Sequence, residues 1–278
     1  MIEVTAFNLD VPAGFRFCVL RQREGGASSR GTIIHVHAFA EEMNKSRHMV
    51  ALAADAWARD GWCVLQIDLG GSGDSAGEFR DATWDGWLED VRLACEWARA
   101  RNGGPLWLWG LRLGALLACE ADRRFHLDCG LLLWQPVTSG KQHFQQFLRL
   151  WQGGQIVGKT MGDADTSPRQ RLAAGASVEV AGYEISPELA KGIEAAQIGE
   201  HLPSRRVHWF QVNAATSAVS SPALERAVAK WRERGVDVRV HATIGPLFWQ
   251  AQEIEVADDL LLRSRRVMNM EQATEILP

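Results

Sequence analysis

The stretch from Leu106 to Ala118, LWLWGLRLGALLA, constrains this chain more than any other. Leu106–Trp109 is a run of large apolar residues of the kind that forms a strand buried on both faces. Gly110 and Gly114 bracket a short turn, and small residues after Gly114 begin a helix able to lie close to a sheet. Strand, glycine-bracketed turn and helix make the frame of a nucleophile elbow, in which G-x-S-x-G lifts a serine above a parallel sheet. Here the central residue is Arg112. A guanidinium stays protonated to about pH 12 and cannot attack a carbonyl. The frame is present and its reactive atom is not.

The rest of the chain reads around that frame. Thr5–Leu9 and Phe15–Arg21 predict an opening antiparallel pair, Gly31–Val36 and Cys63–Ile67 two short buried strands, and Gly130–Trp134 another. Helical spacing of apolar residues predicts helices over Ser46–Asp60 and Thr83–Arg101. Val207–Val212 and Val236–Ala242 supply two further strands, joined by a helix from Pro222 to Arg234. A last helix is expected over Gln252–Arg263, with a surface tail after Arg266. Strands alternating with helices imply βαβ units and a mostly parallel sheet with helices on both faces. Together with the elbow this is the pattern of an α/β-hydrolase fold, one domain over residues 1–278 with a small, mostly helical cap inserted at about 141–203.

Hydrolases on this frame carry their triad in chain order, serine, then acid, then histidine. The acid belongs after the strand ending near Val212 or the one ending at Trp134, yet Asn213–Leu224 holds no Asp or Glu and Gln135-Pro136 follows Trp134. The histidine belongs after the last strand, in a loop that reads TIGPLFWQ, and none occurs after His241. All three positions are vacant, which leaves binding and oxyanion effects at most.

The scaffold around the vacancy can still hold an anion. Arg112 stands at a helix N-terminus, where free N–H groups and the dipole favour negative charge. With His37, Phe39, Leu113 and Trp249 it is the candidate lining of a ligand site. The competing reading makes Arg112 an internal ion-pair partner of Glu41, Glu42 or Asp74, since a buried arginine needs a counter-charge. A relocated catalytic set would draw on His37, Glu41 and Ser72.

Other features carry less. Gly153–Thr160 matches G-x-x-x-x-G-K-T, but an amphipathic run precedes it where a nucleotide loop ending in Lys159 needs a strand. The glycine-rich loop of Ser72 and Ser75 lacks the elbow's second glycine. His35 and His37 flank Val36 at a strand end, with His48 in the next helix; no shared metal is expected of them, and no cofactor. Arg263–Arg266 reads as a helix C-terminal turn rather than a nucleic-acid patch. Net charge is −4, which draws the chain toward neither nucleic acid nor anionic membrane. Five unpatterned cysteines, no N-terminal signal and no long apolar run predict a cytoplasmic protein without a transmembrane segment. Twelve tryptophans against one tyrosine imply large core and pocket residues.

HAFAEEMNKSR (37–47), DLGGSGDSAGEF (68–79), GLRLGA (110–115), WQPV (134–137) and GPLFWQ (245–250) resemble the serine aminopeptidase-like branch of the α/β-hydrolases. More closely, they resemble the exosortase A system-associated hydrolase 2 family, over nearly the whole chain. That resemblance implies a bacterial protein that works beside a PEP-CTERM protein-sorting and exopolysaccharide system, with the arginine elbow as a family trait. With the vacant triad and Arg112, the reading is a pseudoenzyme that binds an anionic or acyl-bearing small molecule or a protein of that system. The alternative it leaves is an ester or thioester hydrolase or acyltransferase with a non-standard catalytic set.

Overall fold

Side chains alternate to the two faces of a strand, and here both faces are buried, so the central strands are apolar throughout. In the computed structural model, which describes residues 1–26, 30–157, 167–198, 203, 205–214 and 221–275, ten strands and eight helices follow one another. They are β1 (Ile2–Val11), β2 (Gly14–Arg23), β3 (Thr32–Val36), α1 (Glu41–Arg59), β4 (Cys63–Ile67), α2 (Trp84–Arg101), β5 (Leu106–Leu111), α3 (Leu113–Phe125) and β6 (Gly130–Trp134). Then come α4 (Gly140–Val157), α5 (Pro168–Ala173), the hairpin β7 (Val178–Val180) and β8 (Tyr183–Ile185), α6 (Pro187–Ala195), β9 (Val207–Asn213), α7 (Pro222–Glu233), β10 (Val238–Ile244) and α8 (Asp258–Glu275). The main sheet has the order β1-β2-β4-β3-β5-β6-β9-β10. β1 and β2 are antiparallel to their neighbours, and β4 through β10 run parallel.

The period of two divides the core. Leu106 and Leu108 of β5 and Leu131 and Leu133 of β6 join the layer under α2 and α3. Trp107, Trp109, Leu111, Leu132 and Trp134 face the layer that contains residues of α1 and α8. The tryptophans fill this second layer edge to face: Trp109 lies 4.6 Å from Trp57 and 4.7 Å from Trp134 between ring centroids. Such contacts add to the large area each indole buries.

Several element boundaries depart from the sequence reading. α1 begins at Glu41, not Ser46. Its N-cap is Ala40, which offers no capping side chain, while Ser46 is an interior residue whose hydroxyl donates back to the Glu42 carbonyl at 2.6 Å. The last helix starts six residues later than the apolar spacing suggested and continues to Glu275. Residues 267–271 are therefore not a surface tail: Met268 is fully buried and Glu271 nearly so. Arg263–Arg266 lies inside α8, where Arg263 pairs with Asp259 and Arg265 with Asp60. β10 is shifted two residues toward its C-terminus, because Val236 packs in the turn after α7, its N–H donating to the Trp231 carbonyl. The segment between β6 and β9 is not wholly helical, for it contains the β7–β8 hairpin. No helix among the described residues is long and apolar enough to cross a membrane.

Candidate functional site

The turn after β5 is built by close approach. A Cβ at Gly110 would stand 2.3 Å from the Ala115 Cα, and one at Gly114 would stand 2.3 Å from the carbonyl oxygens of Val36 and His37. Both positions therefore exclude any side chain, whatever residue lies between them. Arg112, between them, has φ 55° and ψ −117°, a conformation that costs a non-glycine residue about 1–3 kcal/mol. Hydrogen bonds hold it there: the Arg112 N–H donates to Trp134 C=O at 3.0 Å, and the Val137 N–H donates to Arg112 C=O at 3.3 Å. The result is the strained strand-to-helix corner that presents a side chain above the sheet.

What it presents is a guanidinium already engaged. Arg112 Nε lies 3.2 and 3.3 Å from the two Glu42 carboxylate oxygens, and Nη2 lies 3.0 Å from Oε1. The guanidinium carbon stands 5.3 Å from the ring centroid of Trp249, in the loop after β10. Burial pushes the Glu42 carboxyl above its usual range, and Arg112 opposes that shift. His143 of α4 comes within 3.9 Å of Glu42, yet burial and the Arg112 charge push its pKa down to about 3. It is a neutral imidazole near the pair, not a third ion. Of the three counter-charges named from the sequence, the structure thus pairs Arg112 with Glu42. Glu41 instead accepts from the Tyr183 hydroxyl at 3.3 Å, and Asp74 donates its backbone N–H to Asp68 at 3.1 Å.

The other sequence-named residues sit as follows. His37 is buried with both ring nitrogens in use: Nδ1 lies 2.7 Å from the Ala38 carbonyl and Nε2 accepts the Leu69 N–H at 3.2 Å. That fixes the tautomer, and burial lowers its pKa against the opposing effect of the Ala38 hydrogen bond. Phe39 stacks edge-on to Phe147 of α4 at 4.9 Å and lies 6.1 Å from Trp87. Leu113 is buried beneath the turn. The Ser72 hydroxyl is buried without a hydrogen-bond partner among the described residues, whereas Ser75 Oγ accepts the Phe17 N–H and donates to Asp68 C=O. Among the described residues no hydrogen bond joins His37, Glu41 and Ser72 into a relay. Arg112 and Trp249 are brought together; His37, Phe39 and Leu113 line a separate void of about 10 Å³, the size of one water. A second void of about 50 Å³, walled by His35, His37, Ser46, Arg47, Gln66 and Asp68, has room for a few waters. A far larger concavity of about 1120 Å³ opens at the opposite, N-terminal ends of β5, β6, β9 and β10. Several of its charged side chains pair with one another, as Arg205 does with Asp128 at 2.7 Å and Arg206 with Glu271 at 2.9 Å. Open α/β sheets bind ligands at the other end of their strands.

Sequence reasoning did not single out His143 or Tyr183, and neither stands in a motif. Gly153–Val157 continue α4, so helix stands where a phosphate loop would need a strand; Gly158, Lys159 and Thr160 lie outside the described residues. No group of three or more His, Cys, Asp or Glu side chains among the described residues could hold a metal. The five cysteines are free and buried.

Sheet order, helices on both faces and the strained turn after β5 define an α/β-hydrolase-fold protein. The chain belongs to the family described as serine aminopeptidase, S33, whose model matches residues 27–201, well over half of its length. Among solved structures it is similar to Est1E from Butyrivibrio proteoclasticus with bound ferulic acid, at 15% identity and TM-score 0.67, covering 97% of this chain and 100% of that one. It is also similar to the α/β serine hydrolase XC6422 from Xanthomonas campestris, at 20% identity and TM-score 0.57, over 99% and 96% of the two chains. A carboxyl esterase from Bacillus coagulans in complex with glycerol gives 14% identity and TM-score 0.63, over 96% and 98%. Identities this low carry the fold alone. Comparison with curated proteins finds no match.

Proposed function

We propose that this chain is a non-hydrolytic member of its family, a bacterial accessory protein of the exosortase-associated type that binds an anionic or acyl-bearing ligand or a protein partner. The observation that carries this reading is the Arg112–Glu42 pair, packed on Trp249 at the point of the turn where a serine hydrolase presents its nucleophile. A serine hydrolase needs an attacking oxygen there and a base to take its proton. An arginine bound to a glutamate supplies neither.

Arg112 still has donors to give. Nη1 makes no hydrogen bond among the described residues, so a carboxylate or phosphate could bind beside Glu42 without displacing it. The voids beside the turn have room for a few waters but not for an acyl chain, which favours a small anionic group, free or carried on a partner, over a bulky substrate. In this reading Arg112 and Trp249 make the anion contact, and His37, Phe39 and Leu113 support the turn from below.

The test is turnover of a series of activated acyl esters, short to long, by the purified protein and by Arg112→Ala. Neither should exceed the buffer rate. Turnover that follows the protein through purification would overturn the reading and direct attention to Ser72, His37 and Glu41.

A further inference from the structure

An open sheet has two edges, and the two edges of this one differ. Among the described residues, large hydrophobics exposed to solvent are Met1 and Val4 at the β1 edge and Val240, Ile244, Ile254, Leu262 and Met270 in β10, α8 and the loop between them. Along β10 the even-numbered side chains Val240, Ala242 and Ile244 form an exposed apolar row. Natural proteins guard such an edge, because its free N–H and C=O groups will pair with another strand.

Two hydrogen bonds fix which groups are free. Val207 N–H donates to Asp237 C=O and Gly245 N–H donates to Asn213 C=O, so the odd-numbered residues of β10 turn their backbone groups toward β9. The even-numbered residues turn theirs outward. At one end Arg232 Nη2 donates to Val238 C=O at 3.2 Å, and at the other Ile244 N–H donates to Asp259 Oδ2 at 3.0 Å. Between these caps, the N–H and C=O of Val240 and Ala242 have no partner among the described residues.

We propose that this window pairs antiparallel with the same window of a second copy, about a two-fold axis through His241. Full overlap of the seven-residue strand sets Val238 opposite the second copy's Ile244, Arg239 opposite Thr243, Val240 opposite Ala242, and His241 opposite itself. Val240 and Ala242 then exchange N–H···O=C bonds in both directions, the arrangement of a hydrogen-bonded antiparallel pair. The apolar rows of both copies meet on one face, and no like charges oppose each other. The ends are complementary as well. Arg232 has no carboxylate partner among the described residues and caps the Val238 end, which falls beside the second copy's Ile244 and its Asp259. The axis repeats that contact, as an isologous interface requires. The β1 edge fails the same operation, since full overlap of Ile2–Val11 sets Glu3 opposite Asp10.

Sedimentation equilibrium of the full chain across the micromolar range tests this. The expected result is a reversible dimer. Ala242→Pro removes an outward N–H that β9 does not use, and edge strands tolerate such a proline; Val240→Lys puts two like charges beside the axis. Each should raise the dimer Kd by about tenfold or more, while Val4→Lys should leave it unchanged. A monomer at every concentration, or a dimer unmoved by both folded variants, overturns the proposal. Register is checked separately with the double variant Val240→Cys, Ala242→Cys, whose oxidation should give a covalent dimer because the native cysteines are buried. Failure of that cross-link in a dimeric protein overturns the axis through His241.

Discussion

Arg112 and Glu42 are 70 residues apart in sequence, yet they meet above the sheet through two guanidinium nitrogens at 3.0–3.3 Å. Their side chains are only 13% and 18% exposed, so the pair falls under the energetics of buried rather than surface ions. Removing one member of such a pair costs about 3–5 kcal/mol, because the other is left charged without a partner. Arg112→Ala should lower the unfolding free energy by an amount toward the lower end of that range, read by urea denaturation. Adding Glu42→Gln to it should restore part of the loss. A carboxyl whose pKa is raised on folding contributes stability below its unfolded pKa and loses it as pH rises through the folded value. The Arg112→Ala single variant should therefore gain stability on acidification toward the carboxylate range, and the double variant should not.

Gly114 is required by packing and not by chemistry. Its added Cβ would meet the Val36 and His37 carbonyl oxygens at 2.3 Å, and neither backbone can retreat without moving β3. Gly114→Ala should cost about 3 kcal/mol or more, or abolish soluble expression. Gly103→Ala, where a Cβ meets nothing within 4 Å, is the matched control and should express and melt as the parent does.

This separation of frame from chemistry explains what the sequence could disclose. The elbow was legible because Gly110 and Gly114 are dictated by local contact, and the strands of both core layers because burial on two faces leaves continuous apolar runs. The start of α1 was not, since Ala40 sends no capping signal and Glu41 and Glu42 read as loop. The extent of α8 was hidden because its buried polar residues answer to distant partners: Glu271 accepts from Arg206 and lies 3.0 Å from His208 Nε2. The pairing of Arg112 was legible only as a choice among Glu41, Glu42 and Asp74. Tyr183, in a hairpin 142 residues from Glu41, decides that choice in part by engaging Glu41.

Burial sets the acid response of the fold. His35 and His143 are pushed down to about 3 and His241 to about 4, each chiefly by desolvation. A histidine with a depressed pKa keeps its full contribution above the unfolded value and loses it as pH falls toward the folded one. Stability should therefore decline below about pH 6.5, each such histidine adding up to about 1.4 kcal/mol per pH unit. His143→Gln removes one of these groups. Its unfolding free energy should fall less steeply with acid than that of the parent, in urea titrations run at neutral pH and near about pH 4.5. Equal slopes would mean that His143 titrates alike in the folded and unfolded protein, so that burial does not depress its pKa.

Tyr183, the chain's one tyrosine, ties the β7–β8 hairpin to the start of α1. Its hydroxyl donates to Glu41 Oε2 at 3.3 Å and accepts from Asn44 Nδ2 at 3.0 Å, while its ring meets Phe79 edge-on at 5.0 Å. Tyr183→Phe keeps the ring and deletes both hydrogen bonds. Because these groups are partly solvated, the global cost should be only about 0.5–1.5 kcal/mol. The local effect should be larger in proportion, because a hairpin of two three-residue strands has little pairing of its own to fall back on. Amide exchange across Val178–Ile185 should accelerate in the variant while β5 and β6 keep their protection. Acceleration spread evenly over the sheet would instead show that the hairpin unfolds only with the whole domain.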